Sequence, residues 1–141
     1  MVEKVFDFKA QLRYNLVNKV MIKLKRDLVK YIRDRAKSGY KKGIECYICG
    51  GTSNLDFHHF YSLSPLLYGW VKKHKKVPEE VLEFRDEFIQ EHTAELYEHT
   101  VTLCHEHHLK LHSIYGKDPS LATAKKQEKW VEIQRTKHGM V

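Results

Sequence analysis

The sequence predicts a mostly helical α+β domain whose small core is flanked by long helices at both ends of the chain. Apolar residues recur every four positions over the first part of the chain, as in a long amphipathic helix. Only two short segments are rich in strand-forming residues, and cysteines and histidines lie beside both of them at the spacing of metal ligands. At 141 residues, of which 42% are hydrophobic, the chain has the size and composition of one globular domain.

Residues 1–40 are predicted to form a basic helix that packs on the core. Apolar side chains follow one another four residues apart from Phe8 to Ile32, and no glycine or proline interrupts them. The pair Ser38-Gly39 predicts the end of this helix. Its other face carries seven lysines and arginines, which either lie along phosphates or are simply solvated.

Residues 41–116 are predicted to form the core. The run Cys46–Gly51 predicts a metal knuckle with a tight glycine turn. Leu55–Phe60 predicts a short strand, and residues 99–104 predict a second extended segment. Glu106–Tyr115 is predicted to be a helix that ends at the glycine after it.

A helical insert of about residues 64–97 is predicted to interrupt this core. It contains a basic loop, Lys72–Lys76. Pro78, followed by two glutamates, predicts the first turn of a helix over about residues 79–97, because carboxylates there favour the helix dipole.

The C-terminal segment, residues 117–141, is predicted to contain the last helix. The pair Asp118-Pro119 is a helix-start signal, and the helix is expected to cover residues 119–137. Trp130 and Ile133 are its candidate core residues.

The charge along the chain points to a polyanionic partner. Residues 1–45 carry 13 basic against 5 acidic residues, whereas residues 79–98 carry one basic against eight acidic residues. With a net charge of +7, nucleic acid is the commonest such partner, although a solvated basic surface explains the charge equally well. No apolar run has the length of a membrane span, and the N-terminus lacks a signal-peptide pattern, so we expect a cytoplasmic protein with no membrane partner.

Two pairs of soft ligands predict a structural zinc site. Cys46 and Cys49 form one pair, Cys104 and His107 the other, and 54 residues separate the pairs. The fold must therefore bring the halves together into a Cys₃His tetrahedron, which uses all three cysteines of the chain. The alternative is three ordinary buried cysteines with a chance spacing.

The remaining histidines predict a second metal site. On a helix, His108 and His112 share one face, and His107 points about 100° away from His108. One helix can therefore carry ligands of two sites. The adjacent His58 and His59 would complete the second site from a strand end, with one on the metal and the other on a water.

Two neighbouring residues leave alternatives open. His105 falls near the same helix face as His112 and competes as a ligand, but it lies in the first turn, where helices fray. Asp56 either orients a histidine through a hydrogen bond or is an exposed strand carboxylate, and the second interpretation is favoured.

The combination of knuckle, His-His pair and knuckle with a following histidine resembles the HNH endonucleases. The residues that carry the resemblance are CYICG, LDFHHF and HTVTLCHEHHLKLH, within residues 44–116. The resemblance implies a ββα-metal core that binds zinc, and metal-dependent hydrolysis of DNA to 5′-phosphate and 3′-hydroxyl ends. It also implies a phage or mobile-element source.

The resemblance implies site roles position by position. His59 corresponds to the general base, and His58 to a ligand of the catalytic metal. His108 and His112 correspond to further ligands of the same ion. His99 takes the place of the usual asparagine, which holds the loop between the strands in shape, and a ring N–H can serve that purpose. The histidine at 107 stands where zinc-bearing members usually have cysteine.

The residue types predict the metal and the pH range. Imidazole ligands favour Mn²⁺, Co²⁺, Ni²⁺ or Zn²⁺ over Mg²⁺ as the catalytic divalent ion. We expect activity to rise through about pH 6–7.5 as His59 loses its proton. Four lysines near the histidine pair either contact the DNA backbone or form a solvated loop: Lys72, Lys73, Lys75 and Lys76.

Two other functions fit parts of the sequence. One is a zinc-stabilised nucleic-acid-binding module without cleavage activity, which does not require the second set of histidines. The other is an interaction protein that docks through the acidic segment at residues 79–98, which leaves the histidines unexplained. If both DNA strands are cut, two active sites are needed, so a homodimer is one expected assembly.

Overall fold

The computed structural model describes residues 28–140, which form a mostly helical domain with one small sheet. The part of the N-terminal helix within this range, residues 28–36, is α1. The strands are β1 (Leu55–His59) and β2 (Thr100–Cys104), and the further helices are α2 (Leu63–Lys73), α3 (Val81–Glu91), α4 (His105–Tyr115) and α5 (Ala124–Lys137). The predicted mostly helical class with a small sheet is thus confirmed.

The two strands pair antiparallel, and their register places the histidine pair at one end of the sheet. Leu55 lies opposite Cys104, and His59 lies opposite Thr100. Strand β2 runs directly into α4, because Cys104 is the residue that precedes its first turn. Both strands lie within one residue of the segments predicted for them.

The insert contains one helix more than the sequence predicted. Helix α2 was not predicted because Pro65 suggests a helix break. The proline lies in the first turn of the helix, where a missing N–H costs little. Leu63, Leu67, Trp70 and Val71 form its buried face. The expected loop at Lys72–Lys76 is therefore partly wrong, since Lys72 and Lys73 belong to the last turn of α2.

The second helix of the insert is shorter than predicted. In place of one helix over residues 79–97, a 3₁₀ turn at Pro78–Glu80 leads into α3, and a separate π-helical turn covers Ala94–Glu98. Side chains compete for the carbonyls of the last turn of α3, because the His92 ring donates to Phe88 O (2.7 Å) and the Thr93 hydroxyl donates to Gln90 O (2.8 Å).

Helix α1 packs against the insert. Its buried residues Leu28, Ile32 and Ala36 join an apolar cluster formed by α2, α3 and the π turn. The first residues predicted for this helix, 1–27, lie outside the described part of the chain. The helix ends where expected, and a Cβ atom at Gly39 would lie 2.7 Å from the Tyr97 ring, so a larger residue there would force the ring to shift.

A second apolar cluster joins the first knuckle, the sheet, α4 and α5. Helix α5 begins at Ala124 rather than at Pro119, because Ser120 caps a separate 3₁₀ turn over Leu121–Thr123. Ala124 and Val131 are its buried apolar residues. Of the predicted core residues, Trp130 packs partly buried against this cluster, whereas Ile133 is 45% exposed. Within residues 28–140, no helix is long and apolar enough to cross a membrane.

Candidate active site

Three cysteine sulfurs and one histidine nitrogen converge where the two knuckles meet. The sulfurs of Cys49 and Cys104 lie 4.0 Å apart. His107 Nδ1 lies 3.2 Å from Cys104 Sγ and 4.0 Å from Cys46 Sγ. A tetrahedral Zn²⁺ with sulfur ligands at about 2.3 Å would hold those sulfurs roughly 3.8 Å apart. The four side chains predicted to bind zinc are therefore close enough to share one ion.

Main-chain turns position this Cys₃His cluster. Gly50 adopts φ 76°, and its N–H donates to Cys46 O (2.8 Å). The N–H of Cys46 donates in turn to Gly51 O (2.7 Å). On the other side, Cys104 ends β2 and His107 lies in the first turn of α4. The ligand positions therefore follow from backbone geometry more than from side-chain contacts.

The local environment shifts the pKa values of two of the cysteine thiols in opposite directions. Burial, together with the charge of Cys46, raises the pKa of the Cys104 thiol to about 11. Backbone N–H groups outweigh burial at Cys46 and lower its pKa. The Cys104 thiol therefore keeps its proton at neutral pH, whereas coordination to a divalent cation would remove it.

A second cluster forms on another face of α4. His58 Nδ1 lies 3.1 Å from His108 Nε2, which lies 3.0 Å from His112 Nε2. The three nitrogens could serve as ligands of one ion. The helical spacing had predicted this separation of His107 from His108 and His112.

In each of these three rings, the outer nitrogen, which points away from the cluster, donates a hydrogen bond. His108 Nδ1–H donates to Asp56 Oδ2 (3.0 Å), and His112 Nδ1–H donates to Gly116 O (2.7 Å). His58 Nε2–H donates to Gln127 Oε1 (2.9 Å). Because carboxylate and carbonyl oxygens only accept, the inner nitrogens carry lone pairs. Three lone pairs that face one another repel unless a cation lies between them, which is the arrangement of histidine ligands around a metal.

Burial keeps the rings of His58 and His108 neutral. His58 is 3% exposed, and burial lowers its pKa to about 3. Burial also lowers the pKa of His108 against the opposing effect of Asp56. Neutral imidazoles are the form that binds a metal.

His59, at the end of β1, is held by a main-chain carbonyl of the π turn. Its Nε2–H donates to Leu96 O (3.0 Å), so Nδ1 keeps a lone pair that can accept a proton. Burial lowers its pKa to about 4. The rise of activity expected from sequence, at about pH 6–7.5, should therefore move to lower pH.

One cavity of about 220 Å³ joins His59 to the three-histidine cluster. Arg33 of α1 and Lys117, which follows α4, also line it. Arg33 is one of the seven basic residues on the face predicted for the N-terminal helix, whereas nothing in the sequence singled out Lys117. These two cations outnumber the one carboxylate of the lining, that of Asp118, so the cavity is suited to an anionic group.

The predicted DNA-binding lysines lie elsewhere. The N-terminal end of α2 lines the cavity, and this helix places Lys72 and Lys73 about 15 Å away along its axis. Lys75 and Lys76 follow the helix. Their closeness to the histidine pair in sequence therefore does not bring them to the cavity.

His99 connects the insert to the sheet through its main chain. Its carbonyl accepts from Phe60 N–H (3.2 Å). Its ring lies 3.9 Å from a Glu128 carboxylate oxygen and packs edge-on against Tyr61. Tyr61 itself lies between the two strands, so the ring contacts this segment by packing, and its expected role in shaping the loop stays a prediction.

Asp56 and Gln127 both bond histidines of the cluster, although the sequence did not favour this role for Asp56 and gave no sign of it for Gln127. Asp56 accepts from both His105 (2.9 Å) and His108, and these bonds outweigh burial and lower its pKa. The favoured interpretation of an exposed strand carboxylate was therefore wrong. His105 bonds Asp56 rather than joining the cluster. Gln127 lies on α5, far from the motif, and no local pattern marks it.

The family of the chain follows from a comparison with known proteins. A family model of phage T5 nicking endonucleases, described as the nicking endonuclease family, matches residues 18–140. The chain belongs to this nicking endonuclease family. No solved structure matches it at a significant level.

The match includes every residue of both clusters and of the cavity. Membership of the nicking endonuclease family means that the chain is a nuclease of a phage family that acts on DNA. Both ligand clusters and His59 therefore belong to a DNA-cleaving protein.

Proposed function

We propose that this nicking endonuclease is a metal-dependent enzyme of the HNH type, in which β1, β2 and α4 form a ββα-metal core. The observation that carries the proposal is the convergence of three lone pairs, from His58, His108 and His112, in the cavity that His59 also lines. A binding module would need neither feature.

The chain's own groups divide the work in the proposed reaction. His58, His108 and His112 would hold the divalent ion, which would supply positive charge against the phosphate and the leaving 3′ oxygen. His59 Nδ1 takes the proton of the attacking water, because its other nitrogen is committed to Leu96 O. Arg33 and Lys117 hold the DNA phosphates at the cavity. The products are a 5′-phosphate and a 3′-hydroxyl end.

The Cys₃His cluster has a separate role in this proposal. It binds a structural Zn²⁺ that fastens the first knuckle to the junction of β2 and α4. Since α4 also carries His108 and His112, the zinc holds the catalytic ligands in register with the strand that bears His58.

The test is cleavage of supercoiled plasmid by the purified protein with Mn²⁺. We expect nicked circles, loss of activity with a chelator, and loss in His59→Ala and His108→Ala. His74→Ala is the matched control, because His74 is exposed and lies outside the cavity. Plasmid binding without cleavage under every metal would contradict the proposal and favour the zinc-stabilised binding module.

The ligand set also predicts the choice of metal. Three imidazoles without a carboxylate favour Mn²⁺ or Ni²⁺ over Mg²⁺. We expect faster nicking with Mn²⁺ or Ni²⁺ than with Mg²⁺ at equal concentration, measured as the initial rate of nicked-circle formation. A clearly higher rate in Mg²⁺ would contradict this ligand set.

A further inference from the structure

Gln127 is a buried amide that connects α5 to the three-histidine cluster. Its side chain is 0% exposed, on a helix that carries none of the proposed ligands. Its Oε1 lies 2.9 Å from His58 Nε2. Its Nε2 lies 3.3 Å from Phe60 O and 3.0 Å from Thr123 Oγ1. Such complete pairing is what a buried amide requires.

Thr123 and the Phe60 carbonyl together determine which way this amide faces. The Thr123 hydroxyl donates its only proton to Ser120 O, at 2.6 Å. Its oxygen must therefore accept from Gln127, which places the NH₂ group of Gln127 toward Thr123 and Phe60 O. The amide oxygen is left to face His58.

The direction of the amide fixes the tautomer of His58. Because Gln127 Oε1 only accepts, His58 Nε2 carries the proton and Nδ1 carries the lone pair. In the other tautomer, two acceptors would meet at Gln127, and an N–H would point at His108 Nε2, 3.1 Å away. That tautomer could not bind a metal through Nδ1.

We infer that Gln127 and Thr123 are positioning residues that hold His58 as a ligand through Nδ1, and that α5 is therefore part of the metal centre. The protons of His58, Gln127 and Thr123 all point away from the cluster, toward Ser120 O. Hydrogen bonds aligned in one direction polarise one another, which makes His58 Nδ1 a better electron donor. The metal part of this inference rests on the proposed function, whereas the tautomer part does not.

The first experiment measures the tautomer without a metal in the three-histidine cluster. Nitrogen-15 NMR of the imidazoles is recorded at pH 7 with one equivalent of zinc, enough for the Cys₃His cluster alone, in the wild type, in Gln127→Met and in Gln134→Met, a matched change on the same helix. We expect the Nε2–H form of His58 alone in the wild type and in Gln134→Met, and a mixture of tautomers in Gln127→Met. A single unchanged tautomer in Gln127→Met would overturn the inference.

The second experiment measures Ni²⁺ affinity by calorimetry. We expect Gln127→Met to weaken binding by about 10–100-fold, the usual effect of removing the partner of a ligand histidine. Thr123→Val should weaken it less, and Thr123→Ser should restore it, because serine keeps the hydroxyl. Wild-type affinity in both Gln127→Met and Thr123→Val would overturn the inference.

The two readouts separate the inference from the proposed function. If the wild type does not bind Ni²⁺ through the three histidines, the proposed function fails, and the NMR comparison still decides the role of Gln127. Should Gln127→Met not fold, as judged by circular dichroism, Thr123→Val and Thr123→Ser decide in its place. Identical Ni²⁺ affinity and His58 tautomer in those two variants would then contradict the inference.

Discussion

The two ligand clusters share α4 but are held in place by different means. The Cys₃His cluster is positioned by main-chain turns around Gly50 and by the first turn of the helix. The three-histidine cluster depends on hydrogen bonds from its outer nitrogens to Asp56, Gly116 and Gln127, and it opens into a cavity. A closed site suits a permanent ion, whereas an open one suits an ion that exchanges and meets substrate.

Substituting one ligand residue in each cluster should have different consequences. The largest effect is expected on folding, from a substitution at the cysteines. We expect Cys46→Ser to lose the cooperative thermal transition, because a structural zinc contributes on the order of 10 kcal/mol to folding. His108→Ala should keep that transition and lose nicking. Thermal melts followed by circular dichroism measure both, and a normal melt of Cys46→Ser would contradict the structural role.

Substitution of His59 should lower the nicking rate without changing metal affinity, unlike substitution of a metal ligand in the same cavity. His59→Ala should lower the nicking rate by about 10²–10⁴-fold, the usual contribution of a general base. Ni²⁺ affinity should not change, because His59 bonds Leu96 O and not the cluster. Rate and affinity are measured on the same preparation, and a joint loss would instead make His59 a ligand.

Lowering the pH should destabilise the folded protein through its buried histidines. Burial lowers the pKa of His58 to about 3 and of His59 to about 4, from 6.5. Because both pKa values are depressed in the folded state, their contribution to stability is complete above pH 6.5 and is lost as the pH falls below it. The free energy of unfolding should fall by about 1.4 kcal/mol per pH unit for each such ring.

Urea denaturation between pH 7 and 5, without a metal in the three-histidine cluster, measures this loss. The zinc ligands also take up protons in acid, so the informative quantity is the difference in slope between the wild type and His58→Gln. The variant should lose stability less steeply. Equal slopes would mean that His58 is not held neutral by burial.

The smallest expected effect is on DNA binding, where substitutions in the cavity are compared with one in the insert. Arg33→Ala and Lys117→Ala should each weaken DNA binding several-fold and reduce the salt dependence by about one unit in the log–log slope. Lys75→Ala is the matched control, since Lys75 lies outside the cavity. Binding titrations at several salt concentrations measure both quantities. A larger loss of DNA affinity in the control would mean that the DNA contacts lie in the insert, as the sequence predicted.

Local patterns predicted the elements and the grouping of ligand candidates, but not the contacts that orient them. Periodicity and helix-start signals are properties of neighbouring residues, so β1, β2 and α4 could be anticipated within one or two residues. The roles of the ligand candidates stay predictions until a metal is observed.

What escaped prediction depends on packing between distant segments. Gln127 meets His58 across 69 positions of sequence, and His59 meets the carbonyl of Leu96 across 37. A main-chain carbonyl has no sequence signature, and a lone glutamine on a helix has a weak one. Helix α2 was missed for a local reason, because Pro65 suggests a break although it is tolerated in a first turn.

A crystal of the protein grown with one equivalent of zinc and an excess of manganese, with anomalous scattering recorded at both absorption edges, tests the central claim most directly. The two-site account predicts zinc between the three sulfurs and His107, and manganese between His58, His108 and His112. One shared ion, or manganese bound away from these imidazoles, would contradict it.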